Sequence, residues 1–165
     1  MHEVAGGARD GVMPSTTYRF LTAWLLDAER PAVWWELRDA ERWPEWWRGV
    51  ERVTVLAADE HYRIAWRSRI PYDLEFEFTV REMDEPCSMS GEARGELTGT
   101  GVWRLFEQDG VTAVTYEWNV RTTKTWMNAL APIARPFFEY NHNVVMRWGG
   151  EGLARRLGCN LLAAG

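Results

Sequence analysis

The chain has 165 residues, with 19 basic and 24 acidic side chains and a formal net charge of −5, and this length predicts one domain with its own hydrophobic core. The acidic balance argues against a nucleic-acid surface, and no apolar run is long enough to cross a bilayer. Two cysteines, Cys87 and Cys159, are too few for a disulfide framework, and no Cys/His spacing predicts a zinc site. We therefore expect a cytoplasmic protein without metal or cofactor, and both a monomer and a homodimer fit the sequence.

The segment 1–14 is rich in Gly and Ala and lacks the apolar centre of a signal peptide. We expect it to be a disordered tail before a single domain over residues 15–165. An alternating pattern over 17–27 then predicts a first strand. Pro31 marks the start of a short helix, and residues 39–47 predict a second one that contains Trp43, Trp46 and Trp47.

Six more strands are predicted between residues 50 and 120, because apolar and polar residues alternate and short turns interrupt them. Asp109-Gly110 is a strong hairpin signal between the last two strands. The strand over 87–97 has three very small residues in succession on its apolar side, Gly91, Ala93 and Gly95. Either a helix backbone approaches closely there or a cavity opens.

A long C-terminal helix is predicted from apolar residues at spacings of three and four. The predicted inward stripe consists of Trp126, Leu130, Ile133, Phe137, Tyr140, Val144 and Trp148. Pro132 and Pro136 predict a kink or break. Beyond Gly149 and Gly150 the apolar face changes side, and these glycines are better explained by close helix packing than by a phosphate loop.

This order of elements predicts an α+β fold in which a curved seven-stranded antiparallel sheet wraps around the C-terminal helix. Bulky residues face very small ones across the interior, so we expect unfilled, aromatic-walled volume there.

Several segments resemble the START-like, or SRPBCC, superfamily with the helix-grip fold, and most closely its polyketide cyclase/dehydrase-like branch. They are TYRF (17–20), PAVW (31–34), ERWPEWW (41–47), GTGVW (99–103), RTTKTW (121–126), NHN (141–143) and RWGGEGL (147–153). The resemblance implies the fold and an internal site for a hydrophobic ligand. It does not choose among lipid carriers, cyclases and receptors.

The sequence thus predicts binding of a small hydrophobic molecule of aromatic, polyketide or lipid type between sheet and helix. The predicted ligand-binding residues are Trp43, Trp46, Trp66, Phe76, Phe78, Trp103, Tyr116, Trp118, Trp126, Leu130, Ile133, Phe137, Tyr140 and Asn141. For the tryptophans of 43–47, a cavity wall and simple packing of the short helix are equally compatible. Two alternatives remain open: a polyketide cyclase, aromatase or dehydratase, and a ligand-gated interaction module.

No catalytic constellation is visible in the sequence. His142 falls nearly opposite the predicted stripe, so we expect it on the surface and not as a base. Carboxylates such as Glu75 and Glu77 alternate with apolar residues, which indicates the solvated face of a sheet.

Overall fold

A computed structural model of the chain describes residues 17–67, 73–125, 129 and 131–165. The predicted N-terminal tail, the Pro71 interruption, and residues Trp126 and Leu130 lie outside the described residues.

The fold begins with strand β1 (Thr17–Leu26) and two short helices. Helix α1 (Arg30–Arg38) carries Pro31 in its first turn, where no backbone hydrogen bond is lost. A 3₁₀ turn (Ala40–Arg42) leads into α2 (Trp43–Trp46). The Trp43 indole donates to the Leu37 carbonyl over 3.0 Å, which fixes α2 against the end of α1.

Seven strands follow β1 and form with it one antiparallel sheet in the order β2-β3-β4-β5-β6-β7-β1-β8. Their bounds are β2 (Val50–Ala57), β3 (His61–Arg67), β4 (Asp73–Asp84), β5 (Ser88–Gly95), β6 (Leu97–Gln108), β7 (Val111–Thr122) and β8 (Leu161–Ala164). The predicted meander is confirmed, but the sheet has eight strands and not seven. The extra strand, β8, follows the C-terminal helix and pairs with the end of β1.

The C-terminal helix α3 (Ala131–Leu157) crosses the concave face of the sheet and completes the predicted helix-grip architecture. Pro136 lies inside this helix without ending it, so the chain does not break there, and the kink that was the other alternative stays a prediction. Among the described residues, no helix combines the length and apolarity needed to span a membrane.

The predicted inward face of α3 is wrong. Ile133, Phe137 and Tyr140 are 74, 60 and 53% exposed, whereas Phe138 and Val145 are buried. The cause lies further along the helix, where it packs through its glycines.

At Gly149 a Cβ atom would lie 2.5 Å from the Trp47 ring, and at Gly152 it would overlap the Trp46 carbonyl oxygen. The glycine side must therefore face α2. Positions 4, 7 and 11 residues before Gly149 lie on that same side of the helix and are Val145, His142 and Phe138. The prediction that these glycines allow close packing is consistent with this contact.

Candidate ligand-binding cavity

A cavity of about 110 Å³ lies between α3 and the concave face of the sheet. The strands that surround it supply mainly aromatic and aliphatic side chains, and α3 closes the remaining side. The lining residues are Tyr18, Phe20, Trp66, Arg67, Leu74, Phe76, Leu97, Tyr116, Trp118, Val120, Thr122, Phe138, Asn141, His142, Val145 and Met146.

Five of the predicted ligand-binding residues lie on this lining: Trp66, Phe76, Tyr116, Trp118 and Asn141. The rings of Phe76, Trp118 and Tyr116 form an aromatic wall. The Trp118 ring lies 5.6 Å from both the Phe76 and Tyr116 rings, measured between centroids. Aromatic contacts at this spacing hold each ring in place, so the wall is preorganised.

The very small residues of β5 have a different role from the two that were predicted. Gly91 pairs with Gly101 on β6. A Cβ on Gly91 would lie 2.5 Å from the Phe78 ring, and one on Gly101 would lie 2.9 Å from the Trp118 ring. The Phe78 and Trp118 rings therefore occupy the space that Gly91 and Gly101 leave.

The Trp47 indole packs behind the cavity wall, against the Trp66 ring that lines the cavity. Four indoles surround Trp47, with centroids 5.0 to 6.2 Å away, from Trp24, Trp43, Trp66 and Trp103; Trp46 stacks on it at 5.5 Å. Its Nε1 donates to the Val145 carbonyl over 2.8 Å and so ties α2 to α3. We call these six residues the tryptophan cluster.

Beyond the tryptophan cluster lies a second space of about 30 Å³. Trp43, Phe78 and Trp103, which were predicted to bind ligand, line this smaller space and not the main cavity. Trp46 packs against Trp47 and α3, which corresponds to the packing alternative for the residues of α2. The predicted residues Ile133, Phe137 and Tyr140 lie on the outer side of α3.

His142 lies inside the cavity, so its predicted surface position is wrong. Its ring stacks on Phe20 with centroids 3.8 Å apart, and its Nε2 atom lies 3.4 Å from the Thr22 hydroxyl. Burial in these apolar surroundings lowers the pKa of His142 to about 4. The imidazole is therefore neutral at physiological pH and can accept or donate a hydrogen bond.

Tyr116 adds a second polar group to the wall. Its ring stacks on Trp103 at 4.1 Å, and its hydroxyl lies over Gly101. Burial raises the pKa of this hydroxyl well above its usual value, so it stays protonated. Within the described residues, the hydroxyl makes no hydrogen bond. A ligand acceptor in the cavity would give it one.

The cavity residues that sequence reasoning missed are mostly on β1 and α3, such as Tyr18, Phe20, Phe138, His142 and Met146. A signal for those on α3 exists in the glycines of 149–152, because their spacing marks the packed side of the helix. Among the described residues, no group of three or more His, Cys, Asp or Glu side chains is placed to hold a metal ion.

Comparisons with known proteins place this fold. Similar solved structures include a conserved protein from Geobacillus kaustophilus, at 13% identity and a TM-score of 0.71, with 86% of this chain and 95% of that chain covered. A START superfamily protein from Mycobacterium smegmatis matches at 12% identity and a TM-score of 0.69, covering 85% and 97% of the two chains. An aromatase/cyclase from a Streptomyces species matches at 13% identity and a TM-score of 0.69, with 86% of this chain and 94% of that chain covered. At these identities the likeness establishes the fold alone.

A search of curated protein sequences found no match. A family profile described as "Polyketide cyclase / dehydrase and lipid transport" matches residues 26–156, from the end of β1 almost to the end of α3. Because this match spans most of the chain and the helix-grip architecture agrees with it, the chain belongs to the polyketide cyclase/dehydrase and lipid transport family.

Proposed function

We propose that this protein binds a small aromatic molecule in the cavity between α3 and the sheet. The observation that carries the proposal is an aromatic cavity wall with two tyrosine hydroxyls, those of Tyr18 and Tyr116, of which the Tyr18 hydroxyl is buried without a hydrogen-bond partner among the described residues. Family membership supports binding of a hydrophobic ligand, or a polyketide cyclase activity, at a coarse level.

The cavity volume indicates the size of the ligand. An apolar protein cavity of about 150 Å³ accommodates benzene. The space of about 110 Å³ is thus close to the size of one ring. A ligand with two or three fused rings requires outward movement of side chains such as Leu74 and Phe138. We therefore expect affinity to depend on ligand size.

Isothermal titration calorimetry with phenol, 2-naphthol and 1,8-dihydroxyanthraquinone tests the proposal. We expect saturable binding of at least one of these probes, with a negative heat-capacity change because apolar surface is buried. Tryptophan fluorescence follows the same titration, since Trp66 and Trp118 line the cavity.

The matched variants are Leu74→Trp and Val53→Trp. Both residues are half-buried on strands, but only Leu74 lines the cavity. We expect Leu74→Trp to weaken probe binding by about tenfold or more, since that loss corresponds to only about 1.4 kcal/mol. Val53→Trp should bind as the wild type does. Absence of binding for all three probes, or equal losses in the two variants, contradicts the proposal.

A cyclase or dehydratase is the second candidate, and His142 is the observation that favours it. A neutral imidazole in an apolar cavity can remove a proton from a carbon next to a carbonyl, and the Tyr116 hydroxyl can donate to the resulting enolate oxygen. A synthetic β-polyketone thioester is a suitable substrate. Wild type should accelerate its cyclisation, whereas His142→Gln should bind the probes above but show no acceleration. Equal rates with and without wild-type protein would exclude this activity for that substrate class.

A further inference from the structure

A polar groove lies on the convex, outer face of the sheet, on the opposite side from the cavity. Its volume is about 510 Å³, and it forms where β1 begins, β6 begins and β7 ends. It is lined by Thr17, Arg19, Thr98, Gly99, Asn119, Val120 and Arg121. None of these residues takes part in the proposed function of the cavity, apart from Val120, which borders both spaces.

Arginines elsewhere on this outer face are held by carboxylates. Arg52 contacts Glu75 at 3.1 Å, Arg63 contacts Glu77 at 2.8 Å, and Arg104 contacts Glu117 at 2.5 Å; Arg94 lies 3.7 Å from Glu92. Within the part of the chain that the structure describes, the side chains of Arg19 and Arg121 make no ion pair or hydrogen bond. The nearby acid on β7, Glu117, is already held by Arg104.

Strand register brings these two arginines together. Arg121 is opposite Thr17, and Arg19 is opposite Asn119, so the two arginines are diagonal neighbours on adjacent strands. Diagonal neighbours are about 7–8 Å apart at the backbone, within reach of two long side chains that turn toward one point. Two like charges at this separation repel each other, and an anion between them removes that repulsion.

Neutral donors surround the same point. Thr98 is opposite Arg121 on the other side of β7. The Asn119 amide and the Thr98 hydroxyl are short polar groups beside the arginines. Gly99 also lines the groove, and this position has no room for a side chain, because a Cβ there would overlap the Asn119 carbonyl oxygen.

We propose that this groove binds a phosphate monoester group between Arg19 and Arg121. Guanidinium groups bind phosphate and carboxylate through paired N–H donors, and two of them match the charge of a dianion better than that of one carboxylate. A nucleic-acid surface fits less well, since only two basic residues line the groove and the chain has a net charge of −5.

Calorimetry of the full chain at low ionic strength, with inorganic phosphate, phenyl phosphate and acetate as probes, tests this proposal. We expect both phosphate probes to bind and acetate to bind at least about tenfold more weakly, because charge-assisted hydrogen bonds to a dianion are the stronger ones. Arg121→Gln and Arg19→Gln should each reduce phosphate affinity by about tenfold, and added salt should weaken binding.

The control variant is Arg52→Gln, which removes a paired arginine from the same sheet face. It should leave phosphate affinity within about twofold of wild type, since a surface ion pair contributes little to a distant site. Circular dichroism confirms that each variant is folded. Absence of saturable phosphate binding overturns the proposal. Equal losses in Arg52→Gln and Arg121→Gln, or acetate binding as tight as phosphate binding, also overturn it. Because the probes and variants differ from those used for the cavity, either proposal can fail alone.

Discussion

The contact between α3 and the tryptophan cluster should tolerate no methyl group at Gly149. A Cβ at this position would lie 2.5 to 2.8 Å from three atoms of the Trp47 ring. That ring has little room to move away, since it packs against several other indoles and its Nε1 is bound to the Val145 carbonyl. Gly149→Ala must therefore either shift the helix or break this hydrogen bond.

Three terms set the size of the effect. Overpacking a filled core costs about 1–3 kcal/mol. Loss of the Trp47 hydrogen bond to Val145 adds about 1 kcal/mol. Replacement of Gly by Ala inside a helix recovers about 1 kcal/mol of helix propensity. We expect Gly149→Ala to lower the free energy of unfolding by about 2 kcal/mol, which corresponds to a fall in Tm of about 4–8 °C for a domain of this size.

Chemical denaturation of Gly149→Ala, Gly150→Ala and Gly152→Ala measures this directly. At Gly150 a Cβ meets Trp24 at 3.0 Å, a smaller overlap, so its cost and the helix gain should nearly cancel. At Gly152 it overlaps the Trp46 backbone carbonyl, which cannot rotate away, so this variant should be the least stable. If Gly149→Ala is as stable as wild type or more stable, helix propensity outweighs the contact and the reasoning about Trp47 is refuted.

Two further predictions concern charged and titratable groups. The pKa of His142 is about 4 in the folded chain and about 6.5 in the unfolded chain, so the neutral imidazole contributes its full stabilisation above pH 6.5. This contribution is lost as the pH falls toward 4, and the pKa difference corresponds to at most about 3.4 kcal/mol. His142→Gln should therefore lose less stability than wild type between pH 7 and pH 4.5 in urea titrations, and parallel curves would disprove this. Arg156 binds both carboxylate oxygens of Glu36 at 3.2 Å and also contacts Glu45, so Arg156→Met should cost about 1 kcal/mol. The exposed pair Arg147–Glu151 is the control, and Arg147→Met should change the free energy of unfolding by less than about 0.5 kcal/mol; equal effects would show that the Arg156 contacts add nothing.

The strands were predictable because each has one apolar and one solvated face. Apolar and polar residues therefore alternate along the sequence with a period of two. β4 shows it best: Phe76 is buried between exposed or half-buried acids. The turn at Asp109-Gly110 was predictable because both residues adopt positive φ there. β8 was missed because four residues, LLAA, carry almost no periodic signal of their own. β8 is a strand because it pairs with the last residues of β1, and that contact is not visible in the sequence of β8 alone.

The orientation of α3 was not predictable from apolar spacing, because its first half has large apolar residues on two sides. Phe137 and Phe138 are neighbours, and only the second is buried. The deciding contact is a steric one between Gly149 and Trp47, about 100 positions apart in the chain, and hydrophobicity does not report it. The same error led to the prediction that His142 is exposed. The apolar stripe was taken as the packed side of the helix, and His142 lies nearly opposite that stripe.

The position of β1 in the sheet has a consequence for the order of folding. This first strand is hydrogen-bonded to β7 on one side and, at its end, to β8 on the other, with Thr17 opposite Arg121 and Leu26 opposite Leu161. Sheet closure must therefore wait for residues from the far end of the sequence, and pairings of such long sequence separation form slowly. During synthesis, β2 to β6 can assemble as local hairpins while β1 remains without a partner. β1 is thus synthesised before the other strands of the sheet but is among the last to be paired. Until it is paired, its exposed apolar face can associate with other chains.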